Sequence, residues 1–124
     1  MILGIGTDLV EIARINGALD RHGERLIERV LGPEERQRLP ESNRAAWLAK
    51  RFATKEAVAK ALGTGFRDGL RLADIQTRHD GNGRPEVLLE GRARETFERM
   101  GAGAISLSVS DERSYALAFV VISR

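Results

Sequence analysis

Cysteine is absent from this chain of 124 residues. That absence excludes disulfides, thiolate metal sites and a cysteine nucleophile, and it suits a reducing compartment. Histidine occurs twice, as His22 and His79, with no paired-histidine spacing, which speaks against a soft-metal centre and leaves oxygen ligands for any metal. Aromatic residues make up 5% of the chain, so stacking platforms for single-stranded nucleic acid are few. No apolar run approaches a membrane span, and the start MILGIGTDLVEI lacks a basic region followed by a long apolar stretch. The expected location is therefore the cytoplasm. There is no GxxxxGK[ST] run and no strand-GxGxxG-helix unit, so the familiar nucleotide cradles are missing. Internal repeats, linkers and low-complexity tracts are also missing.

What is present is an ordinary globular composition: 42% hydrophobic and 31% charged residues. The length predicts one domain, residues 1–124, with room for a real core. Twenty Lys plus Arg against 18 Asp plus Glu give a net charge of +2 and a pI near 9.5. Local basic patches suit nucleic acid, acidic proteins or phosphorylated small molecules, and composition does not choose among them.

Ile2 to Val10 reads as a strand, with Ile5, Thr7 and Leu9 on one face and Gly4, Gly6 and Asp8 on the other. Two glycines beside an aspartate permit close approach of another backbone or a ligand. Asp8 by itself reads first as a cap for the helix that follows, and only second as a ligand. Residues 11–31 suggest helix, interrupted or bent near Gly23. If the helical phase is kept, Arg14, Arg21 and Arg25 share one face. Pro33 followed by Glu34 and Glu35 predicts a short helix to Leu39. A long helix then runs from a cap at Ser42 or Asn43 to Gly63-Thr64-Gly65. Residues 70–79, a turn at Gly81-Asn82-Gly83 and the run Glu86 to Leu89 predict a hairpin. Helical patterning returns from Gly91 to Met100, and two strands close the chain, around Ile105–Val109 and Tyr115–Ile122. The order predicts an α+β fold: a small antiparallel sheet packed on a long central helix.

That helix carries charges in unusual places. Trp47, Leu48, Phe52, Val58, Ala59 and Leu62 form an apolar arc; Arg51 and Lys55 fall within it, while Glu56 and Lys60 lie on its edge beside Ala49 and Ala53. In one reading Glu56 and Lys60 are an i,i+4 surface pair and Arg51 and Lys55 snorkel out of the core. In the other, a carboxylate and three cations surround an anionic ligand and its metal, for which magnesium fits best.

Three stretches then resemble one family. Gly4-Ile5-Gly6-Thr7-Asp8-Leu9-Val10-Glu11-Ile12 resembles the opening of the holo-acyl-carrier-protein synthases, the small bacterial 4′-phosphopantetheinyl transferases. Arg51-Phe52-Ala53-Thr54-Lys55-Glu56-Ala57-Val58-Ala59-Lys60-Ala61 resembles their FxxKEAxxKA signature, and Ser108-Val109-Ser110-Asp111 with Tyr115-Ala116-Leu117-Ala118 resembles a third. The resemblance implies a magnesium-dependent transfer of 4′-phosphopantetheine from coenzyme A to a serine of apo acyl carrier protein. Adenosine 3′,5′-bisphosphate is released, and fatty acid biosynthesis is served. It implies Asp8 and Glu56 as catalytic magnesium ligands and Lys60 as the cation on the departing phosphate. By the same resemblance Lys60, Gly63, Gly65, Arg84, Pro85, Ser110 and Asp111 contact coenzyme A, and Arg51 and Lys55 are cations near coenzyme A or the acidic partner, with a structural role as the alternative for Arg51. Many members have histidine where this chain has Asp111, which cannot offer a cation to a phosphate. Arg14 aligns with a basic residue that docks the acidic carrier protein, and helical phase adds Arg21 and Arg25. The resemblance also implies a homotrimer with sites between subunits, and no nucleic-acid or membrane partner. Two other readings stand beside this one: a basic binding module without catalysis, favoured by the pI and the arginine stripe, and a structural oligomer that has lost activity.

Overall fold

The computed structural model describes residues 1–124. The chain begins with strand β1 (Ile2–Glu11) and passes directly into helix α1 (Ile12–His22). Gly23, at φ 48° and ψ −122°, then stops the helix, and α2 (Glu24–Val30) starts afresh in a new direction. A positive φ is the conformation glycine adopts most readily, so the predicted interruption is a true break. The short helix α3 (Pro33–Arg36) ends earlier than the predicted Leu39, because Arg38 and Leu39 bond back only three residues and tighten the last turn.

Helix α4 (Arg44–Leu62) is the longest element. Asn43 precedes it in a left-handed conformation and makes no side-chain cap, contrary to the expected capping role; the Arg44 guanidinium instead donates to the Pro40 carbonyl at 2.7 Å. Gly63 ends the helix at φ 84°, as its sequence signal predicts. Residues 72–74 form a single 3₁₀ turn, so the first hairpin strand is shorter than 70–79. Strands β2 (Ile75–His79) and β3 (Pro85–Leu89) pair antiparallel. Their turn is held by the Asp80 carboxylate, which accepts from the amides of Asn82 and Arg84. Helix α5 (Gly91–Arg99) and strands β4 (Ala104–Asp111) and β5 (Tyr115–Ser123) complete the fold. β5 lies between β1 and β4 in a three-stranded antiparallel sheet.

Alternation sorts this sheet. Ala116, Ala118, Val120 and Ile122 of β5 are wholly buried, opposite Val10, Asp8, Gly6 and Gly4 of β1, and this inner face packs on α4. Ala49, Ala53, Ala57 and Ala61 form the i,i+4 ridge that meets it, all at most 3% exposed. Small residues on both sides bring strand and helix close. A methyl group on Gly4 would lie 2.0 Å from the Ala61 carbonyl oxygen, and one on Gly6 would lie 1.9 Å from that of Ala57. The close approach foreseen at these glycines is therefore to a backbone. A second cluster, Ile27, Val30, Leu31 and Leu48, ties α2 to another side of α4. The helix is thus covered on several sides, which explains why its sequence shows no clean polar face.

Candidate active site

Asp8 shares the inner strand face with Gly4 and Gly6, so the seam that presses β1 onto α4 also delivers its carboxylate to the helix. It does not cap α1; Glu11, the residue in the cap position, makes no side-chain capping bond either. Lys60 reaches across the seam: its Nζ donates to the Thr7 carbonyl at 2.9 Å and to Asp8 Oδ1 at 3.3 Å. No ion pair forms between Glu56 and Lys60, so the reading of these two as a surface pair fails. Burial, and then the negative charge of Asp8, raise the Glu56 carboxyl above the ordinary glutamate value, while Lys60 offsets part of this. Two acids separated by 47 intervening positions in sequence therefore share one electrostatic field. Glu11 lines the same recess as these two, but no third acid or histidine is close enough to complete a metal-binding cluster with them. Two hard carboxylates suit magnesium, which usually completes its shell with substrate phosphates and water.

Asp8 and Glu56 line a recess of about 580 Å³ together with Arg14, Arg21, Leu26 and Phe52. The floor is apolar and the rim carries the two arginines. Arg25 is not part of it: the break at Gly23 takes α2 out of the phase of α1, so the expected three-arginine stripe loses its last member.

Lys55 corrects another expectation. It does not snorkel; it is 0% exposed. Its Nζ donates to Glu35 Oε1 at 2.6 Å, to the Leu72 carbonyl at 3.0 Å and to the Ile75 carbonyl. An ammonium has three hydrogens, so none remains for coenzyme A. Burial holds its pKa below the ordinary lysine value, with Glu35 opposing the shift. Arg51 is likewise buried. Its guanidinium lies over the Trp47 ring, 3.8 Å from the centroid, and its Nε is 3.5 Å from Glu35 Oε2. Glu35, which sequence reading took for a favourable acid in the first turn of a short helix, is the hub of this cluster. Apart from the Gly32 amide three residues before it, its partners Arg51, Lys55 and Thr77 lie 16 to 42 residues away, beyond the reach of a local sequence signal.

A second recess of about 320 Å³ opens on this side of α4, lined by Lys50, Arg51, Thr77, His79, Pro85 and Asp111 among others. It joins three residues expected to contact coenzyme A, Arg51, Pro85 and Asp111. Lys50 Nζ stands 3.9 Å from Asp111 Oδ1, so a cation accompanies the aspartate. Arg51 Nε and Thr77 Oγ1 are buried here without a hydrogen-bond partner. Arg84 faces a different groove, beside Arg78 and Arg94. Ser110 points to the outer face of the sheet, opposite Leu117. Gly63 and Gly65 close α4 at positive φ and line neither recess. Within one chain, then, only Arg51, Pro85 and Asp111 of the expected contacts share the second recess, while Lys60 stands at the β1–α4 seam and the others lie elsewhere.

A sequence model of the 4′-phosphopantetheinyl transferase superfamily matches residues 4–120. The chain belongs to this superfamily. Among its relatives within the superfamily, the holo-[acyl-carrier-protein] synthase of Alkalilimnicola ehrlichii is 54% identical, over 98% of this chain and 97% of that protein. The crystal structure of the holo-[acyl-carrier-protein] synthase of Neisseria meningitidis superposes with a TM-score of 0.91 at 43% identity, covering all of both chains. That of Helicobacter pylori, solved in complex with coenzyme A, gives 0.84 at 32% identity, over 96% of this chain and 99% of that one. The α+β fold with antiparallel sheets is the fold of these transferases.

Proposed function

We propose that this chain is a holo-acyl-carrier-protein synthase, moving 4′-phosphopantetheine from coenzyme A to a serine of apo acyl carrier protein. The observation that carries the reading is the meeting of Asp8, Glu56 and Lys60 at the β1–α4 seam, in a chain whose full length resembles such synthases. In the reaction the serine Oγ gives up its proton to a carboxylate or to water and forms a bond to the β-phosphorus of coenzyme A. The bond from that phosphorus to the bridging diphosphate oxygen breaks, and adenosine 3′,5′-bisphosphate leaves. Asp8 and Glu56 would hold magnesium. When bound, magnesium offsets diphosphate charge and polarises the phosphorus under attack. Lys60, fixed by the Thr7 carbonyl and Asp8, keeps a third hydrogen for the departing phosphate. Its half-exposed ammonium can follow the leaving group without breaking the core.

The recess between Lys50, Arg51 and Asp111 suits the phosphate-bearing adenosine end of coenzyme A, with Arg51 and Lys50 as cations. Arg14 and Arg21, on the rim of the Asp8–Glu56 recess, suit an acidic helix of the carrier protein, an association steered by charge and weakened by salt.

The outer face of the sheet supports assembly. This face exposes Ile5 and Leu9, each 61%, beside Leu117 and Phe119, 43% and 46%. A contiguous apolar face of this kind marks an interaction surface. Packing copies of the chain there, as a homotrimer, would let one copy's second recess complete another copy's Asp8–Glu56 recess. The same reading places the enzyme in the cytoplasm and in fatty acid biosynthesis; no helix is long and apolar enough to cross a membrane.

The test is direct. Protein, coenzyme A, magnesium and apo carrier protein are mixed, and the carrier is weighed by mass spectrometry. A gain of one phosphopantetheine is expected; an unchanged carrier mass rejects the reading.

A further inference from the structure

Glu35 is completely enclosed, and its two oxygens gather partners from three separate segments. Oε1 accepts from Lys55 Nζ and from the Gly32 amide; Oε2 accepts from the Thr77 amide at 3.0 Å and faces Arg51 Nε at 3.5 Å. A second tie runs alongside. Gln76 Oε1 accepts from the amides of Glu34 and Glu35, and a methyl group on Gly32 would lie 2.2 Å from Gln76 Cδ. Helix α3 is thereby clamped between α4 and the β2–β3 hairpin, with the Glu35 carboxylate as the point where all three meet.

Two of the groups so held, Arg51 and Thr77, are walls of the second recess. Each keeps a buried polar atom unpaired within the chain. Two cations, Arg51 and Lys55, face the one Glu35 carboxylate, while the negative charge of Asp74 also acts on Lys55, leaving Arg51 as the cation on the recess wall. Removal of the Trp47 stack or of Glu35 would free the Arg51 guanidinium to swing. We infer that Glu35 is a positioning residue for coenzyme A: it sets Arg51 and the Thr77 wall so that the recess receives the phosphate-bearing end of the cofactor. This rests on the reading of that recess given above. It goes beyond that reading in naming the residue that makes the recess competent, a residue that itself touches no substrate.

A purely structural Glu35, needed to neutralise Lys55, would affect stability without acting through Arg51. A double-mutant cycle separates the two. Coenzyme A dissociation constants are measured by calorimetry, with magnesium, for the full chain, Glu35→Gln, Arg51→Met and the double variant. In parallel, KM for the carrier protein is measured for every variant that turns over. Glu35→Gln is expected to weaken coenzyme A about tenfold when Arg51 is present and less than about twofold when Arg51 is methionine, as coupled neighbours do. KM for the carrier should stay within about twofold. Because Glu35→Gln leaves Lys55 without its carboxylate, the cycle is repeated with Glu35→Leu/Lys55→Met, an apolar replacement of the pair that retains stability more readily. Equal weakening in both Arg51 backgrounds, in whichever series folds, overturns the positioning role. If Arg51→Met alone leaves coenzyme A binding unchanged, the recess itself is not the cofactor site, and the inference falls with that reading.

Discussion

A methyl group built on Gly6 would sit 1.9 Å from the carbonyl oxygen of Ala57. No side chain fits there, so glycine at this position is what allows β1 to lie against α4 with Asp8 facing the helix. Gly6→Ala is expected to force the strand away from the helix and to cost at least about 1–3 kcal/mol, the range of an overpacked core. Urea unfolding measures the loss, and transfer to the carrier should fall with it. A variant of unchanged stability and activity would show that the seam does not set the site.

Glu56 stands in a field that opposes its charge. Burial first and Asp8 second hold its carboxyl above the ordinary value. Between the ordinary and the raised pKa the folded chain binds more protons than the unfolded one, so this group's contribution to stability falls as pH rises through that window. Glu56→Gln removes the penalty. Its Tm should exceed the parent's near neutral pH, the gain should vanish below about pH 4, where both states hold the proton, and turnover should be lost. Calorimetry across pH checks this; a lower Tm for Glu56→Gln near neutral pH contradicts it.

Lys55 is expected to matter for folding. Lys55→Met leaves Glu35 buried with one cation fewer and should cost about 3–5 kcal/mol, the scale for breaking a buried pair from one side. Replacing both partners, as Glu35→Leu/Lys55→Met, should recover most of that loss. Denaturant midpoints decide, and a Lys55→Met variant as stable as the parent would contradict the hydrogen bonding of the cluster.

The outer sheet face makes its own prediction. Phe119→Asp places a charge amid Ile5, Leu9 and Leu117 without disturbing the inner face. Light scattering is expected to show a trimer for the parent and a smaller species for Phe119→Asp, with transfer reduced. A parent that stays monomeric at micromolar concentration would contradict assembly through this face.

Much of the framework was legible because it rests on local signals. The alternation in β1, the glycine stop at Gly63 and the signatures around Asp8 and Glu56 are all read within a few residues. Lys55 and Glu35 were not legible. Helical periodicity places Lys55 in the apolar arc but says nothing of an acid 20 positions earlier or of carbonyls 17 and 20 positions later. The low polarity contrast of α4 has the same origin, since the sheet, α2 and the hairpin cover it from different sides. Arg25 was misplaced because a phase count cannot know that Gly23 adopts a positive φ and restarts the helix.

The central claim is that Asp8 and Glu56 together provide the metal-binding pair for transfer. The magnesium dependence of carrier modification, followed by mass spectrometry for the parent, Asp8→Asn and Glu56→Gln, tests it most directly. Saturable magnesium activation is expected for the parent, and no modification by either variant at any magnesium concentration. Parent-like turnover and magnesium response in either folded variant would contradict it.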